Sequence, residues 1–346
     1  MIGSLFILST FLCLARAYDQ LLGFNSPVKY ETRSLDEIYK AALAEGNVVT
    51  LWHGGDEKGR QDALKNAFES EFPGLTLSLT VDLSKYHDAY SDQQLATGGD
   101  SAQQGALLNY APNGFDQIEP AFRDESAAWY GVYVLSWSGA WNTNKLPGID
   151  PPVEWDDWLR PEFKEKLVLT YPNDDDAVLF AHYLIMQQYG EEWLDALIAQ
   201  KPRWVRGTRT PYTLISQENS TSAASFAASG GFVPIAPLSF SHPTQGKYVS
   251  WPQTAAILKD APHPEGAKLL HNFLLSPEYQ GLPGRWSVRR DIPAPQGFPK
   301  LSEEKATNPT EFARFMADRK LVERLRFYFE AKIGTAQGLS PLIDDI

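Results

Sequence analysis

The residues best suited to chemistry lie in a few short stretches. His53-Gly54-Gly55-Asp56 closes an apolar run, "NVVTLWHGG", and sets an imidazole, two glycines and a carboxylate side by side. In α/β folds, ligands sit in loops beyond the carboxyl ends of strands, where glycine lets backbone N–H groups approach them. The plainer alternative is a strand-to-helix turn with Asp56 as a cap. Asp82 and Tyr86 hold the equivalent place after "LTLSLTVDL", with capping and packing as their alternative. Asn173-Asp174-Asp175-Asp176 gathers oxygen donors that suit a cation, or else forms a solvated loop at a helix N-terminus. Thr208, Thr210 and Tyr212 offer hydroxyls ahead of a possible helix, and Trp137 and Asn142 lie in a long apolar run. These positions are the predicted ligand contacts.

Catalysis has less to work with. No G-x-S-x-G elbow is present, and the histidines at 53, 87, 182, 242, 263 and 271 show no H-E-x-x-H spacing. The single cysteine, Cys13, falls in the N-terminal segment discussed below. With no nucleophile, base and orienting group recognisable together, the chain is predicted not to be an enzyme, and no cofactor is expected. His263, ahead of Pro264, is expected to cap a helix or pack locally. His271 is expected to be half-buried on that helix.

The elements that must position these residues follow from periodicity. Ser34 begins a helix with Leu35, Ile38, Tyr39 and Ala42 on one face, ended by Gly46. A strand, a helix at roughly 58–71 and a second strand follow with short connections, which predicts a βαβ unit and a parallel sheet. The apolar run at 129–144 is long enough for two strands or one bent one. A short helix, a strand at 167–170 and a helix pair broken at Gly190 come next. "GGFVPIAPLSF" and "KYVSWPQTAAILKD" are further strand candidates. In "APHPEGAKLLHNFLLSPEYQ", Pro264 and Pro277 each mark a first helical residue. The tail at 311–333 reads as amphipathic helix.

The 346 residues exceed one small core, which predicts two lobes. A net charge of −12 argues against nucleic acid or an anionic membrane as a partner. The start, "MIGSLFILSTFLCLARAYDQ", has an apolar stretch too short to span a bilayer and ends in a small-x-small site. It predicts a signal peptide at 1–17 that would remove Cys13. No later apolar run is long enough to span, so no membrane insertion is expected. Asn219-Ser220-Thr221 is a glycosylation sequon, and the expected localisation is secreted, or periplasmic in a bacterium.

The ordered segments "SLDEIYKAALAEGNVVTLWHGG", "YGVYVLSWSGAWNTNKLP", "EWDDWLRPEFKEKLVLTYP", "ILKDAPHPEGAKLLHNFLLSPEYQ" and "RWSVRRDIP" resemble the type II periplasmic-binding-protein superfamily. More narrowly, they are similar to extracellular solute-binding proteins of iron(III)-type ABC importers. The resemblance implies an α/β fold of two lobes with an interlobe ligand cleft. It implies lobe one at 18–130, lobe two at 131–244, a return to lobe one at 245–300, and C-terminal helices at 301–346 packing on lobe two. It also implies a small-molecule or metal-ion ligand held without turnover, and ABC importer membrane subunits as partners if the protein is bacterial. An enzyme on the same scaffold, or a secreted interaction protein with a vestigial cleft, are the alternatives.

Two departures from the family pattern stand out. Members carry a strand and a helix between segments corresponding to "QLATG" and "GALLNYAP", which would need about 20 residues, and Thr97–Gln104 leaves no room for them. A segment missing from the sequence near Gly98–Asp100 is expected, the alternative being a shortened relative with a damaged lobe. Ferric-binding members often use adjacent tyrosines, whereas Tyr212 here stands alone, which leaves organic cations such as thiamine or polyamines beside metal ions as ligands.

Overall fold

The computed structural model describes residues 28, 30–84, 86–87, 106–229 and 231–343. The signal peptide expected at 1–17 and the junction at Gly98–Asp100 lie outside the described residues.

Helix α1 (Leu35–Glu45) opens on the Ser34–Glu37 capping box, in which each side chain satisfies the other's backbone N–H. It buries Ile38 and Ala42 and ends at Gly46, whose φ of 135° few side-chain-bearing residues adopt. Strand β1 (Val48–Gly54), helix α2 (Asp62–Glu71) and strand β2 (Thr76–Asp82) form the expected βαβ unit, with β1 and β2 parallel.

Strand β3 (Tyr130–Asn142) settles the ambiguous apolar run as one long strand. Its first half pairs antiparallel with β8 (Ser250–Ala255), and its second half with β6 (Ala224–Ser229) and β7 (Leu238–Ser241). Register shifts between Gly131 and Tyr133 and between Ser138 and Ala140 bend it. Gly139 is glycine for a packing reason, since a Cβ there would lie 2.1 Å from Cζ2 of buried Trp158. The predicted short helix near 155 is two 3-10 turns, Trp155–Leu159 and Pro161–Phe163.

Strands β4 (Val168–Thr170) and β5 (Arg203–Val205) pair in parallel, and a bridge from Leu167 to Ala224 joins them to β6. The helix pair is α3 (Asp176–Tyr189) and α4 (Glu191–Ala199), broken at Gly190 as expected, and α5 (Thr210–Ser216) follows β5. Helices α6 (Pro264–Leu274) and α7 (Pro277–Gln280) start at the two prolines. The chain therefore has two α/β lobes, with β3 running from one into the other.

Three expectations need correction or narrowing. His271 is not half-buried at a surface but 5% exposed, and its Nδ1 lies 2.6 Å from the hydroxyl of buried Tyr130 on β3. His263 stands at the N-cap of α6 but its side chain makes no cap bond; its ring lies against Gly46 at the end of α1 instead. The C-terminal helix is two, α8 (Glu311–Ala317) and α9 (Arg319–Ile333), because Asp318 leaves helical geometry and caps α9 through Leu321 N. Phe315 and Phe329 from these helices pack on Phe180 and His182 of α3.

Candidate functional site

At the end of β1 the glycines serve close packing of neighbouring chain. A Cβ on Gly54 would lie 2.3 Å from Ser84 Oγ, and one on Gly55 would lie 2.7 Å from Val81 Cγ1. His53 is fixed at both nitrogens. Nδ1 meets the Gly54 carbonyl and Nε2 lies 2.8 Å from the Tyr133 hydroxyl. A carbonyl only accepts, so Nδ1 carries the proton and Nε2 accepts from the phenol. Burial lowers the His53 pKa and raises that of Tyr133, the latter against a smaller opposing pull from Arg60 and Arg285.

Asp56 caps no helix of its own lobe. Its carboxylate crosses to the loop before α5 and accepts from Thr208 N, from Arg209 N at 2.9 Å and from Thr208 Oγ1 at 3.1 Å. Glu57 repeats the crossing by accepting from Thr213 Oγ1 at 2.9 Å, with Arg209 Nε 3.8 Å away. Asp56 is 6% exposed, so these bonds lie largely out of water, where bonds to a charged group are stronger.

Behind this bridge is a cavity of about 530 Å³. One wall comes from the first lobe: His53, Arg60, Gln61, Ser84, Tyr279 and Arg285. The floor is the middle of β3, from Tyr133 to Trp137, with Trp251 of β8 set edge-on to Trp137 at 5.5 Å between ring centres. The opposite wall is the acidic loop entering α3, with Gly207 and Thr208. Asp175 caps α3 through Ala177 N and Val178 N at 3.0 and 2.9 Å. Burial, more than its neighbours Asp176 and Asp56, pushes its carboxyl up to about 6, although the cap bonds oppose this.

His53, Gly54, Gly55, Asp56, Trp137, Asp174 and Thr208 line this cavity. Asp82, Tyr86, Asn142, Asn173, Thr210 and Tyr212 do not. Asp82 holds Leu83 N at 2.7 Å at the end of β2, and Tyr86 is 44% exposed outside the lining. Asn142 is buried and ties Ile215 O to the turn at Asn144 and Lys145. Asn173 donates to Gly334 O at 3.1 Å. Thr210 is buried at the start of α5, and Tyr212 is 3% exposed with its ring beside Phe240. Asn219 lies exposed in the turn after α5. The sequence reading missed Tyr133, Trp251, Tyr279 and Arg285. Tyr133 lies four residues before Trp137 on a strand, hence on the same face, which was a usable signal. Among the described residues, no group of three or more His, Cys, Asp or Glu side chains is placed to hold a metal ion.

A profile of the family described as bacterial extracellular solute-binding protein matches residues 84–306. Among solved structures, the substrate-binding protein of an ABC transporter from Agrobacterium tumefaciens has a TM-score of 0.63 at 12% identity. That match covers 85% of this chain and 97% of the other. The periplasmic binding protein AfuA from Actinobacillus pleuropneumoniae, with fructose-6-phosphate bound, gives 0.59 at 18% identity over 83% of this chain and 99% of its own. Iron-bound HitA from Pseudomonas aeruginosa gives 0.55 at 16% identity, with the same two coverages, 83% and 99%. At these identities the likeness is one of fold. No curated protein matches the sequence.

Proposed function

Since the chain belongs to the bacterial extracellular solute-binding protein family, we propose that it holds a small organic solute noncovalently between its lobes and presents it to the membrane subunits of an ABC importer. The observation that carries this reading is the cavity of about 530 Å³, whose opposite walls come from the two lobes and are bridged by Asp56. Its volume lies within the range of small-molecule sites, and its mixture of aromatic floor and convergent polar walls is the usual make-up of one. Closure of two lobes on a ligand is the hinge motion open to such a fold. The aromatic floor and the absence of a metal-binding cluster among the described residues favour an organic solute over a metal ion.

The same reading includes export with removal of residues 1–17, lobe boundaries near 131 and 245, and packing of the C-terminal helices on lobe two. Asn219, exposed in a turn, would accept a glycan in a host that attaches one. The test is native mass spectrometry of protein purified without denaturant, followed by thermal-shift titration with Fe³⁺, thiamine, putrescine and inorganic phosphate. A captured small molecule released on unfolding, or a ligand-dependent rise in Tm, is expected. Protein that is empty as purified and responds to none of the probes would refute the reading, and turnover of a bound probe would replace it with an enzyme.

A further inference from the structure

Charge in the cleft is not balanced by position. The acidic wall is already spoken for. Asp174 pairs with Arg206 at 2.8 Å, Asp176 pairs with Arg326, Asp175 caps α3, and Asp56 takes the N–H groups of Thr208 and Arg209. A metal ion or organic cation arriving there would compete with each of these bonds.

Arg285 on the facing wall is in the opposite condition. Its guanidinium carbon lies 4.6 Å from the centre of the Tyr279 ring and 5.3 Å from that of Tyr133. One Nη2 hydrogen bond to Tyr279 O at 3.0 Å fixes its orientation. Among the described residues no carboxylate forms an ion pair with it, so most of its five N–H donors remain for another partner. A guanidinium stacked on aromatic rings loses little freedom when it then grips a planar or tetrahedral oxyanion through two parallel bonds. His53 and Arg60 share this wall, while Trp137 and Trp251 offer apolar surface to the rest of a ligand.

Resting on the reading of this cavity as the solute site, we propose that the solute is a small organic anion whose carboxylate or phosphate group is bound by Arg285. This replaces the metal ion or organic cation expected from the sequence.

The test uses the whole protein, unfolded and refolded to strip any captured solute, titrated calorimetrically. The probes are citrate, fructose 6-phosphate, inorganic phosphate, Fe³⁺, thiamine and putrescine. An anionic probe is expected to bind wild type, with citrate and the phosphates separating carboxylate from phosphate recognition. Its Kd should rise about ten- to a hundredfold in R285Q, the range for loss of hydrogen bonds to a charged group. R285K, which keeps the charge but not the fork, should fall between. Binding of a cationic probe alone, or an anion constant unchanged in R285Q, would overturn the inference and leave the solute-binding reading standing. Binding of no probe by wild type would remove both. If R285Q does not fold by circular dichroism, R285K decides, and an unchanged constant there overturns the inference.

Discussion

Three histidines, His182 and His271 buried and His242 half-buried, contribute to how stability responds to acid. His182, His242 and His271 each have burial lowering the pKa from 6.5 to about 4. His182 is ringed by Trp193, Trp204, Phe226 and Phe329, with Nδ1 bonded to Val178 O and Nε2 without a partner. Between pH 6.5 and 4 the unfolded chain protonates these imidazoles and the folded one does not. The stability they allow is therefore complete above pH 6.5 and is lost progressively toward pH 4. Asp175 acts in the opposite sense, because its folded carboxyl, raised from 3.8 to about 6, takes up a proton in this window that its unfolded form leaves off. Near pH 5 these four groups alone gain three protons on unfolding and release one, a net of two that contributes roughly 2.7 kcal/mol per pH unit to the slope. His182→Phe should lower the slope by roughly 1.4 kcal/mol per pH unit, and Asp175→Asn should raise it by about as much. Urea unfolding followed by tryptophan fluorescence, at half-unit steps from pH 4.5 to 7, gives these slopes directly. The readout is the slope, so a packing cost of either substitution shifts the curve without mimicking the effect. A slope unmoved by His182→Phe, or stability that rises on acidification, would refute the reasoning.

Two further substitutions probe bonds between distant segments. Glu154 accepts from Thr244 N, Thr244 Oγ1, Gln245 N and Gly246 N at 2.7–3.0 Å, so Glu154→Ala should cost roughly 3 kcal/mol in unfolding free energy by urea titration. Asp56→Ala removes the bridge between lobes. It should increase the radius of gyration of the ligand-free protein in small-angle scattering and lower its Tm by several degrees, whereas an unchanged scattering curve would show that the bridge does not hold the cleft shut.

What could be read from sequence divides along sequence separation. The Ser34 cap, the βαβ order and the helix starts at Pro264 and Pro277 depend on residues a few positions apart, and all are as expected. Strand β3 was undecided because what makes it one strand is its pairing with β6, β7 and β8, a hundred residues further on. His271 looked like a surface residue because Tyr130, which buries and bonds it, comes from another element. At the site, "HGGD" was legible as a loop after a strand, but the role of Asp56 was not. A cap and a bridge have the same local sequence, and the partners at Thr208 and Arg209 are 152 and 153 residues away. Arg285 was missed for a related reason: Tyr279 is only six residues before it, but Tyr133 and the rest of the cavity reach it only through the return of the chain to the first lobe.

The bridge and the arginine together bear on how the cleft would gain affinity. Only the fraction of molecules with both walls in place binds a solute fully, and the apparent affinity is reduced by that fraction. Asp56 and Glu57 supply bonds between the walls that do not involve the solute. They raise the closed fraction beforehand, so less of the solute's own binding energy is used to move the lobes. These bonds also place a negative carboxylate against the N–H groups of Thr208 and Arg209, which then have no need of a negative ligand group. An anionic solute is left with the wall that carries Arg285, and its remaining surface with the aromatic floor. Losing Asp56 and losing Arg285 should therefore weaken binding by different routes. The first changes how often the cleft is closed and acts alike on every ligand that requires closure, while the second changes what the closed cleft prefers.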